Sequence, residues 1–331
     1  MLRRSLALIL LAAVTLSSAQ SLDEFKLRVD VELVQLPVSV LDKNGLPVRG
    51  LKQEYFSIFE DKVQQNITLF KQEDVPLSVG IVIDASGSML DKLDRLNAAA
   101  MTFVRESNPA DETSIVSFGD EVYLEQDLTN NTQILGRVLS GITSTGSTAF
   151  YDAVYLAARH LQRESIHEKK VLLVLSDGED NKSKYNLKQV EKLLGESRIT
   201  LYSVGLLSYG ASTYGLQGQT GKKALKQLAE VTGGVPFFPK SVKDVEEICA
   251  KIARDLRNQY TIGYRPSNTK LDGSWRKVVV QLNPPQNMPK LKVRTKQGYY
   301  APLSGETRTA SDSSGRHSKT DDAGLRRIQL K

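Results

Sequence analysis

The stretch LSVGIVIDASGS, residues 77–88, decides the fold. Its first eight residues form a nearly continuous apolar run that ends in Asp84, which is typical of a parallel β-strand buried on both faces. VLLVLSD at 171–177 is a second such run, and ITLYSVGLL at 199–207 is a third. Helical periodicity separates these runs. We therefore predict a doubly wound α/β domain with a mostly parallel central sheet over residues 75–258.

Both ends of the chain are rich in short strand patterns. Residues 24–74 contain about four strands and no helix, and strands return over 260–302. Neither end alone has enough strands for a stable sandwich. We predict that the two segments pack together as a β-sandwich into which the α/β domain is inserted, with Trp275 packed between them. Two separate β appendages are the alternative. Residues 304–331 lack periodicity and are predicted to be a disordered tail.

The first 19 residues are predicted to be a secretory signal. Arg3 and Arg4 precede an apolar run over 6–16, and small residues follow at 17–19. This order is typical of a signal cleaved near Ala19. The run is short for a membrane span, although a retained N-terminal anchor is the alternative. We expect an exported chain, periplasmic or extracellular, with no membrane-spanning segment after cleavage.

The composition argues against several function classes. Lys and Arg number 44 and Asp and Glu 38, a formal net charge of +6, and the basic residues are scattered. A nucleic-acid interface needs basic residues clustered on one face, so we expect none. One cysteine and three histidines exclude a cysteine zinc site. Cys249 lies on or beside the apolar face of a helix pattern, which predicts a buried, inert thiol.

Oxygen-bearing side chains follow the ends of the predicted buried strands. Asp84, Ser86 and Ser88 follow the first strand, Thr148 precedes a helix, and Asp177 ends the second apolar strand. Ligands of open parallel sheets bind at the carboxyl ends of strands. Five oxygen ligands without His or Cys favour a hard divalent cation, Mg²⁺ or Mn²⁺, with Ca²⁺ left open.

Two loops are predicted to border this edge of the sheet. The loop 207–221 is longer than most connections between a strand and a helix, and its Tyr209 and Tyr214 are candidate contacts for a partner. A plain linker is the alternative. In the second loop, Glu179 and Asp180 either bind a second cation, modify the electrostatic field at the first, or form a solvated acidic loop.

Three segments together resemble a known family. DASGS at 84–88, GSTAFYDAV at 146–154 and VLSDGED at 174–180 resemble the von Willebrand factor A domain with its metal-ion-dependent adhesion site. The resemblance covers about residues 75–258. The flanking strands and the signal are similar to a bacterial exported subgroup of such proteins.

The resemblance implies a binding device. Ser86, Ser88 and Thr148 would supply hydroxyl ligands, and Asp84 and Asp177 would lie close to the ion, often acting through water. A partner's Asp or Glu carboxylate would complete the shell of the cation. The expected function is metal-dependent protein binding or adhesion without catalysis. The alternatives are a scaffold subunit with a structural metal and a metal-assisted hydrolase that uses Asp84.

Overall fold

The computed structural model describes residues 33–144, 146–206, 217–285, 288–303 and 328–329. The strands are β1 (Val34–Leu41), β2 (Phe56–Glu60), β3 (Val63–Gln65), β4 (Ile67–Lys71), β5 (Ser78–Asp84), β6 (Glu112–Phe118), β7 (Val122–Thr129), β8 (Lys170–Ser176), β9 (Ile199–Gly205), β10 (Pro236–Phe237), β11 (Tyr260–Tyr264), β12 (Trp275–Leu282), β13 (Lys292–Arg294), β14 (Gly298–Tyr300) and β15 (Ile328–Gln329). The α-helices are α1 (Leu93–Glu106), α2 (Thr132–Gly141), α3 (Phe150–Glu164), α4 (Leu187–Glu196), α5 (Gln217–Val231) and α6 (Val245–Leu256).

The central sheet has seven strands in the order β10-β9-β8-β5-β6-β7-β15. Pairing is parallel from β10 to β6, and β7 and β15 add antiparallel strands at one side. One face packs against α1, α2 and α6, and the other packs against α3, α4 and α5. Every residue of β5 is buried because both faces of the sheet are covered. The predicted doubly wound α/β domain is confirmed.

Two four-stranded antiparallel sheets, β13-β1-β11-β4 and β14-β12-β2-β3, are built from both ends of the chain. In the first, β1 pairs with β11, with Val38 opposite Tyr260. In the second, β2 pairs with β12, with Ile58 opposite Val280. The inner faces of both sheets contribute to one apolar cluster. The predicted β-sandwich from the two ends is therefore confirmed, and the α/β domain lies between them in the chain.

A buried ion pair lies inside the sandwich. Arg276 and Glu60 are both nearly inaccessible to solvent, with 3.4 Å between Nη1 and Oε1. The hydroxyls of Tyr264 and Tyr299 donate to Oε2 of Glu60, at 2.7 and 2.8 Å. Arg276 also donates to two backbone carbonyl oxygens in the 268–270 turn. These bonds compensate for the removal of the two charges from water.

The two connections between sandwich and α/β domain are tied to each other. The side-chain amide of Gln72 donates to the carbonyl of Asn258 at 3.3 Å. Arg257 Nε donates to Asp74 at 2.8 Å. The chain therefore enters and leaves the inserted domain at neighbouring positions.

A polar cluster next to these connections joins the sandwich to the sheet and to α6. Asp255, at the end of α6, accepts hydrogen bonds from Ser39 of β1 and Tyr202 of β9. Gln259 donates to both Ser39 and Tyr202. Lys169 donates to the carbonyl of Leu256 at 2.7 Å. Burial lowers the pKa of Lys169 to about 8 although carboxylates, first that of Asp255, raise it.

Other sequence predictions have different outcomes. Cys249 is buried, and burial raises the pKa of its thiol to about 12, as expected of an inert thiol.

Trp275 does not pack between the β segments, contrary to the sequence prediction. It lies partly exposed on the outer face of β12, against Tyr300 with 5.0 Å between ring centroids, because alternation along the strand turns Arg276 inward.

The chain termini are described only in part. The predicted signal at 1–19 lies outside the described residues. The predicted disordered tail at 304–331 does so too, except that Ile328–Gln329 form β15, which departs from that prediction. No helix in the described part of the chain is long and apolar enough to cross a membrane.

Replacement of Arg276 by Leu is expected to destabilise the sandwich by about 3–5 kcal/mol, because Glu60 remains as a buried charge without a cationic partner. Lys277→Leu, at the exposed neighbouring position, is the matched control and should change stability by less than about 0.5 kcal/mol. Trp275 is the only tryptophan, so its fluorescence during urea unfolding reports on the sandwich. Equal midpoints for the two variants would contradict the assigned role of the ion pair.

Lys169 is expected to make the free energy of unfolding of the wild type increase with pH in the alkaline range. Its folded-state pKa lies near 8 and below the unfolded value, so between the two values the unfolded chain binds more protons. Stability therefore rises with pH in this window. We expect the wild type to gain up to about 3 kcal/mol relative to Lys169→Met between about pH 8 and pH 10.5. Parallel pH profiles of urea unfolding for the two proteins would contradict this expectation.

Candidate functional site

Asp84 is the most buried acid at the carboxyl edge of the central sheet. Its Oδ1 accepts the backbone N–H of Ser86 at 3.0 Å, which turns the chain sharply after β5. Its Oδ2 accepts the hydroxyl of Ser176, at the end of β8, at 2.6 Å. Ser176 in turn accepts the backbone N–H of Gly178. One carboxylate thus holds the ends of two adjacent parallel strands in place.

Three further predicted residues form a continuous set of oxygen atoms. The Oγ atoms of Ser86 and Ser88 are 3.1 Å apart, and the Ser88 hydroxyl donates to Oδ2 of Asp177 at 3.1 Å. Oδ1 of Asp177 accepts the N–H of Glu179. Ser86 and Asp177 are buried, whereas Ser88 is exposed. The set therefore runs from the sheet interior to solvent.

The segment that carries Thr148 is tied to the same loop through the backbone. Gly87 N–H donates to the carbonyl of Gly146 at 3.1 Å, and the Ser144 hydroxyl donates to the carbonyl of Ser86 at 2.9 Å. Gly146 has φ +55°, and a Cβ there would lie 1.9 Å from Oδ2 of Asp120. A glycine is therefore required at this close approach.

Asn181 joins the Thr148 segment to the loop after β8. Its side-chain oxygen accepts the N–H of Thr148 at 3.0 Å, and its own N–H donates to the carbonyl of Thr148. The structure thus brings the segments of all five predicted ligand residues to one edge of the sheet. Thr148 bonds to Asn181 and Lys182 through its backbone, while the other four residues form hydrogen bonds through their side chains.

The site has an excess of negative charge at its base. Burial raises the pKa of Asp84 to about 6, and the nearby charge of Asp177 adds to this increase. Among the described residues no ion pair with a basic side chain is formed by either carboxylate. Burial and the charge of Asp177 also raise the pKa of Glu179. A cation at this edge would relieve the repulsion between these acids.

The spacing of the oxygen atoms suits a small divalent cation. Mg²⁺ holds its ligands at about 2.0–2.1 Å in octahedral geometry, so adjacent ligands lie about 2.9 Å apart. The contacts Ser86 to Ser88 and Ser88 to Asp177 are each 3.1 Å. Within the described residues no group of three His, Cys, Asp or Glu forms a metal cluster. The candidate site instead combines two carboxylates with hydroxyl groups, and this donor set fits Mg²⁺ or Mn²⁺.

The predicted rim residues have separate outcomes. Glu179 is partly buried beside Asp177. Asp180 accepts the N–H of Tyr151 at 3.2 Å in the first turn of α3 and also the hydroxyl of Ser183, so its carboxylate caps a helix. Tyr209 and Tyr214 lie outside the described residues.

Sequence reasoning missed three residues that hold the site together, namely Ser176, Asn181 and Asp120. Asp120 accepts the N–H of Ser147 at 2.8 Å. Ser176 had a detectable signal, because it is a hydroxyl at the end of an apolar strand directly before Asp177. Asn181 and Asp120 had none, because their partners are backbone groups of other loops.

Comparison with known proteins agrees with this geometry. The von Willebrand factor type A domain family matches residues 79–179, which include every strand end that contributes to the site. No curated protein matches the chain.

Several solved structures resemble this chain at low sequence identity. An aerotolerance-related membrane protein from Bacteroides fragilis is 17% identical, with 54% of this chain and 98% of that chain covered and a TM-score of 0.44. The vWF domain of the type V pili tip protein Mfa5 from Porphyromonas gingivalis is 14% identical, with coverage of 55% and 95% and a TM-score of 0.46. A von Willebrand factor type A protein from Catenulispora acidiphila is 11% identical, with coverage of 85% and 76% and a TM-score of 0.48.

The doubly wound sheet, the loops at its carboxyl edge and the family match over 79–179 agree, so the inserted α/β domain of this chain is similar to the von Willebrand factor type A domain.

Proposed function

We propose that this protein is an exported, non-catalytic binding protein that holds a divalent cation at the carboxyl edge of its central sheet and binds an acidic group of a partner protein through it. The observation that carries the proposal is the continuous set of oxygen atoms of Ser86, Ser88 and Asp177. This set begins beside a buried, uncompensated Asp84 and ends at solvent.

The residues of this chain divide into holders and ligands. Both oxygens of Asp84 accept hydrogen bonds from Ser86 and Ser176, so Asp84 shapes the loop and contributes charge. Ser86, Ser88, Thr148 and Asp177 are the groups that would hold the ion. When bound, Mg²⁺ or Mn²⁺ supplies a Lewis-acidic position for an oxygen ligand.

Neutral ligands are important for this function. Hydroxyl groups leave the positive charge of the ion largely uncompensated, whereas more carboxylates in direct contact would reduce its attraction for an incoming anion. Ser88 lies at the exposed end of the set, so a partner's carboxylate would approach from this side. The charge of Glu179, beside Asp177, would favour a partner that presents a single carboxylate rather than a densely acidic surface.

Changes at the site are expected to weaken cation binding without unfolding the domain. Ser88→Ala removes an exposed hydroxyl ligand and should weaken Mn²⁺ binding at least tenfold, whereas Asp84→Ala removes the buried negative charge that shapes the loop and should abolish it. Ser140→Ala, an exposed serine at the end of α2, is the matched control and should bind like wild type. Calorimetric titration of Mg²⁺ and Mn²⁺ checks this. Equal affinity of Ser88→Ala and Ser140→Ala would contradict the assignment.

Direct coordination of a carboxylate is tested separately by NMR. With the Mn²⁺-loaded protein, the proton resonances of N-acetylaspartate amide should broaden, because a bound carboxylate lies next to the paramagnetic ion. N-acetylasparagine amide, which lacks the charge, should broaden much less. Ser88→Ala should reduce the broadening of the N-acetylaspartate amide resonances.

The alternative roles give other results. If Mn²⁺ binds to the wild type but the resonances of the two probes broaden equally, the ion is structural. The alternative of a scaffold subunit is then favoured. In that case chelation lowers the melting temperature and leaves partner binding unchanged. If neither Mg²⁺ nor Mn²⁺ binds, the proposed metal-dependent function is wrong.

A further inference from the structure

Helix α5 packs directly against the loop that carries Asp177. A Cβ atom placed on Gly221, near the start of α5, would lie 2.4 Å from the carbonyl oxygen of Asp177 and 3.0 Å from the backbone nitrogen of Glu179. Cβ atoms in proteins essentially never approach another heavy atom to less than 3.0 Å. This approach of helix and loop therefore requires a glycine at position 221.

The contact is reciprocal. Gly178 has φ +76°, and a Cβ on it would lie 2.5 Å from the carbonyl oxygen of Gly221 and 2.7 Å from Cγ of Leu225. The three atoms nearest to the Cβ position of Gly221 all belong to the backbone, so they cannot move aside as the end of a flexible side chain can. The loop after β8 and helix α5 thus touch backbone to backbone.

The first half of α5 is itself fixed to the sheet. The Ser203 hydroxyl of β9 donates to the carbonyl of Leu225 at 3.3 Å, and the side chain of Leu225 is fully buried. Nζ of Lys222 lies 5.1 Å from the ring centroid of Phe238, just after β10. The helix therefore cannot move away from the loop without breaking these contacts.

The backbone atoms that face Gly221 determine where the carboxylate of Asp177 lies. Its Oδ1 accepts the N–H of Glu179 at 3.0 Å, and its Oδ2 accepts the Ser88 hydroxyl at 3.1 Å. The Glu179 nitrogen is one of the three atoms nearest to the Cβ position of Gly221. A shift of this segment would therefore move the carboxylate of Asp177 relative to Ser88.

We propose that Gly221 is a positioning residue of the cation site, which acts through the backbone of Asp177 and makes the site selective for a small ion. This inference rests on the proposed cation-binding function. Mg²⁺ demands near-ideal octahedral geometry, whereas Ca²⁺ accepts more oxygen ligands in a flexible arrangement. A displaced Asp177 carboxylate therefore costs more affinity for Mg²⁺ than for Ca²⁺. Coupling between two sites is reciprocal, so bound Mg²⁺ also stabilises the packing of α5.

The first test compares Gly221→Ala with Gly136→Ala in α2, where the added Cβ would meet Sδ of Met101 at an ordinary 3.5 Å. Both changes raise helix propensity, so the contact is what distinguishes them. In calorimetric titrations of the full chain, Gly221→Ala should weaken Mg²⁺ binding at least about tenfold and Ca²⁺ binding by less than about threefold. Gly136→Ala should bind both ions like the wild type. An unfolded fraction would lower the stoichiometry for both ions and leave the ratio of their dissociation constants unchanged.

The second test needs no cation. In the metal-free protein, NMR-detected hydrogen exchange of the Glu179 amide should be at least about tenfold faster in Gly221→Ala than in the wild type, because its hydrogen bond to Asp177 is disturbed. The Ser86 amide, which donates to Asp84 in a different loop, is the internal control and should exchange at an unchanged rate.

The third test uses the wild type alone and follows from the reciprocity of the coupling. Saturating Mg²⁺ should slow hydrogen exchange of the amides at 221–228 in α5, although none of these residues is a proposed ligand. The amides of α2 should be unaffected. Ser88→Ala, which weakens cation binding, should abolish the effect at the same Mg²⁺ concentration.

Specific results overturn the proposal. An unchanged ratio of Mg²⁺ to Ca²⁺ affinity in Gly221→Ala does so, and so does an unchanged exchange rate of the Glu179 amide. If Gly221→Ala does not fold, unchanged exchange in α5 on addition of Mg²⁺ to the wild type overturns it. If the wild type binds no cation, the proposed function fails, whereas the metal-free exchange rate of the Glu179 amide still decides whether Gly221 positions Asp177.

Discussion

The pairing of β11 with both β1 and β4 is the constraint on which the rest of the structure depends. β11 follows the inserted domain, whereas its two neighbours precede it. The sandwich core therefore cannot close until the chain has returned from the α/β domain. Such long-range pairing costs loop-closure entropy before it contributes stability, and the folded α/β domain reduces this cost by bringing its two ends together.

The proposed cation site has a comparable arrangement on a smaller scale. Its side chains come from three loops, and backbone hydrogen bonds such as Gly87 to Gly146 and Asn181 to Thr148 hold these loops together. The hydroxyl groups are thus positioned before any ligand arrives. Preorganisation of this kind lowers the entropic cost of binding. The spacing of the oxygen atoms is therefore determined by the loops rather than by the strands.

Much of this architecture was predictable from the sequence, because buried parallel strands leave continuous apolar runs and their ends locate Asp84 and Asp177. The orientation of β12 was not predictable. Apolar preference alone would place the side chain of Trp275 inside the sandwich and that of Arg276 outside. A strand can present only one of two alternating sets of side chains to the core, and the buried Glu60 stabilises the orientation in which Arg276 points inward. Helix α2 was overlooked although Asn131 caps it by accepting two backbone N–H groups. The ties made by Asn181 and Asp120 depend on tertiary contacts and leave no local pattern.

The side-by-side entry and exit of the inserted domain also determine how the molecule responds to tension. Both connections leave the sandwich at the same end of the β4–β11 pair, where Lys71 lies opposite Thr261. Tension between the inserted domain and an anchored sandwich would therefore be carried by both connections in parallel. The Asp74–Arg257 and Gln72–Asn258 contacts hold these connections side by side, so the tension would pull β4 and β11 in the same direction rather than separate one from the other.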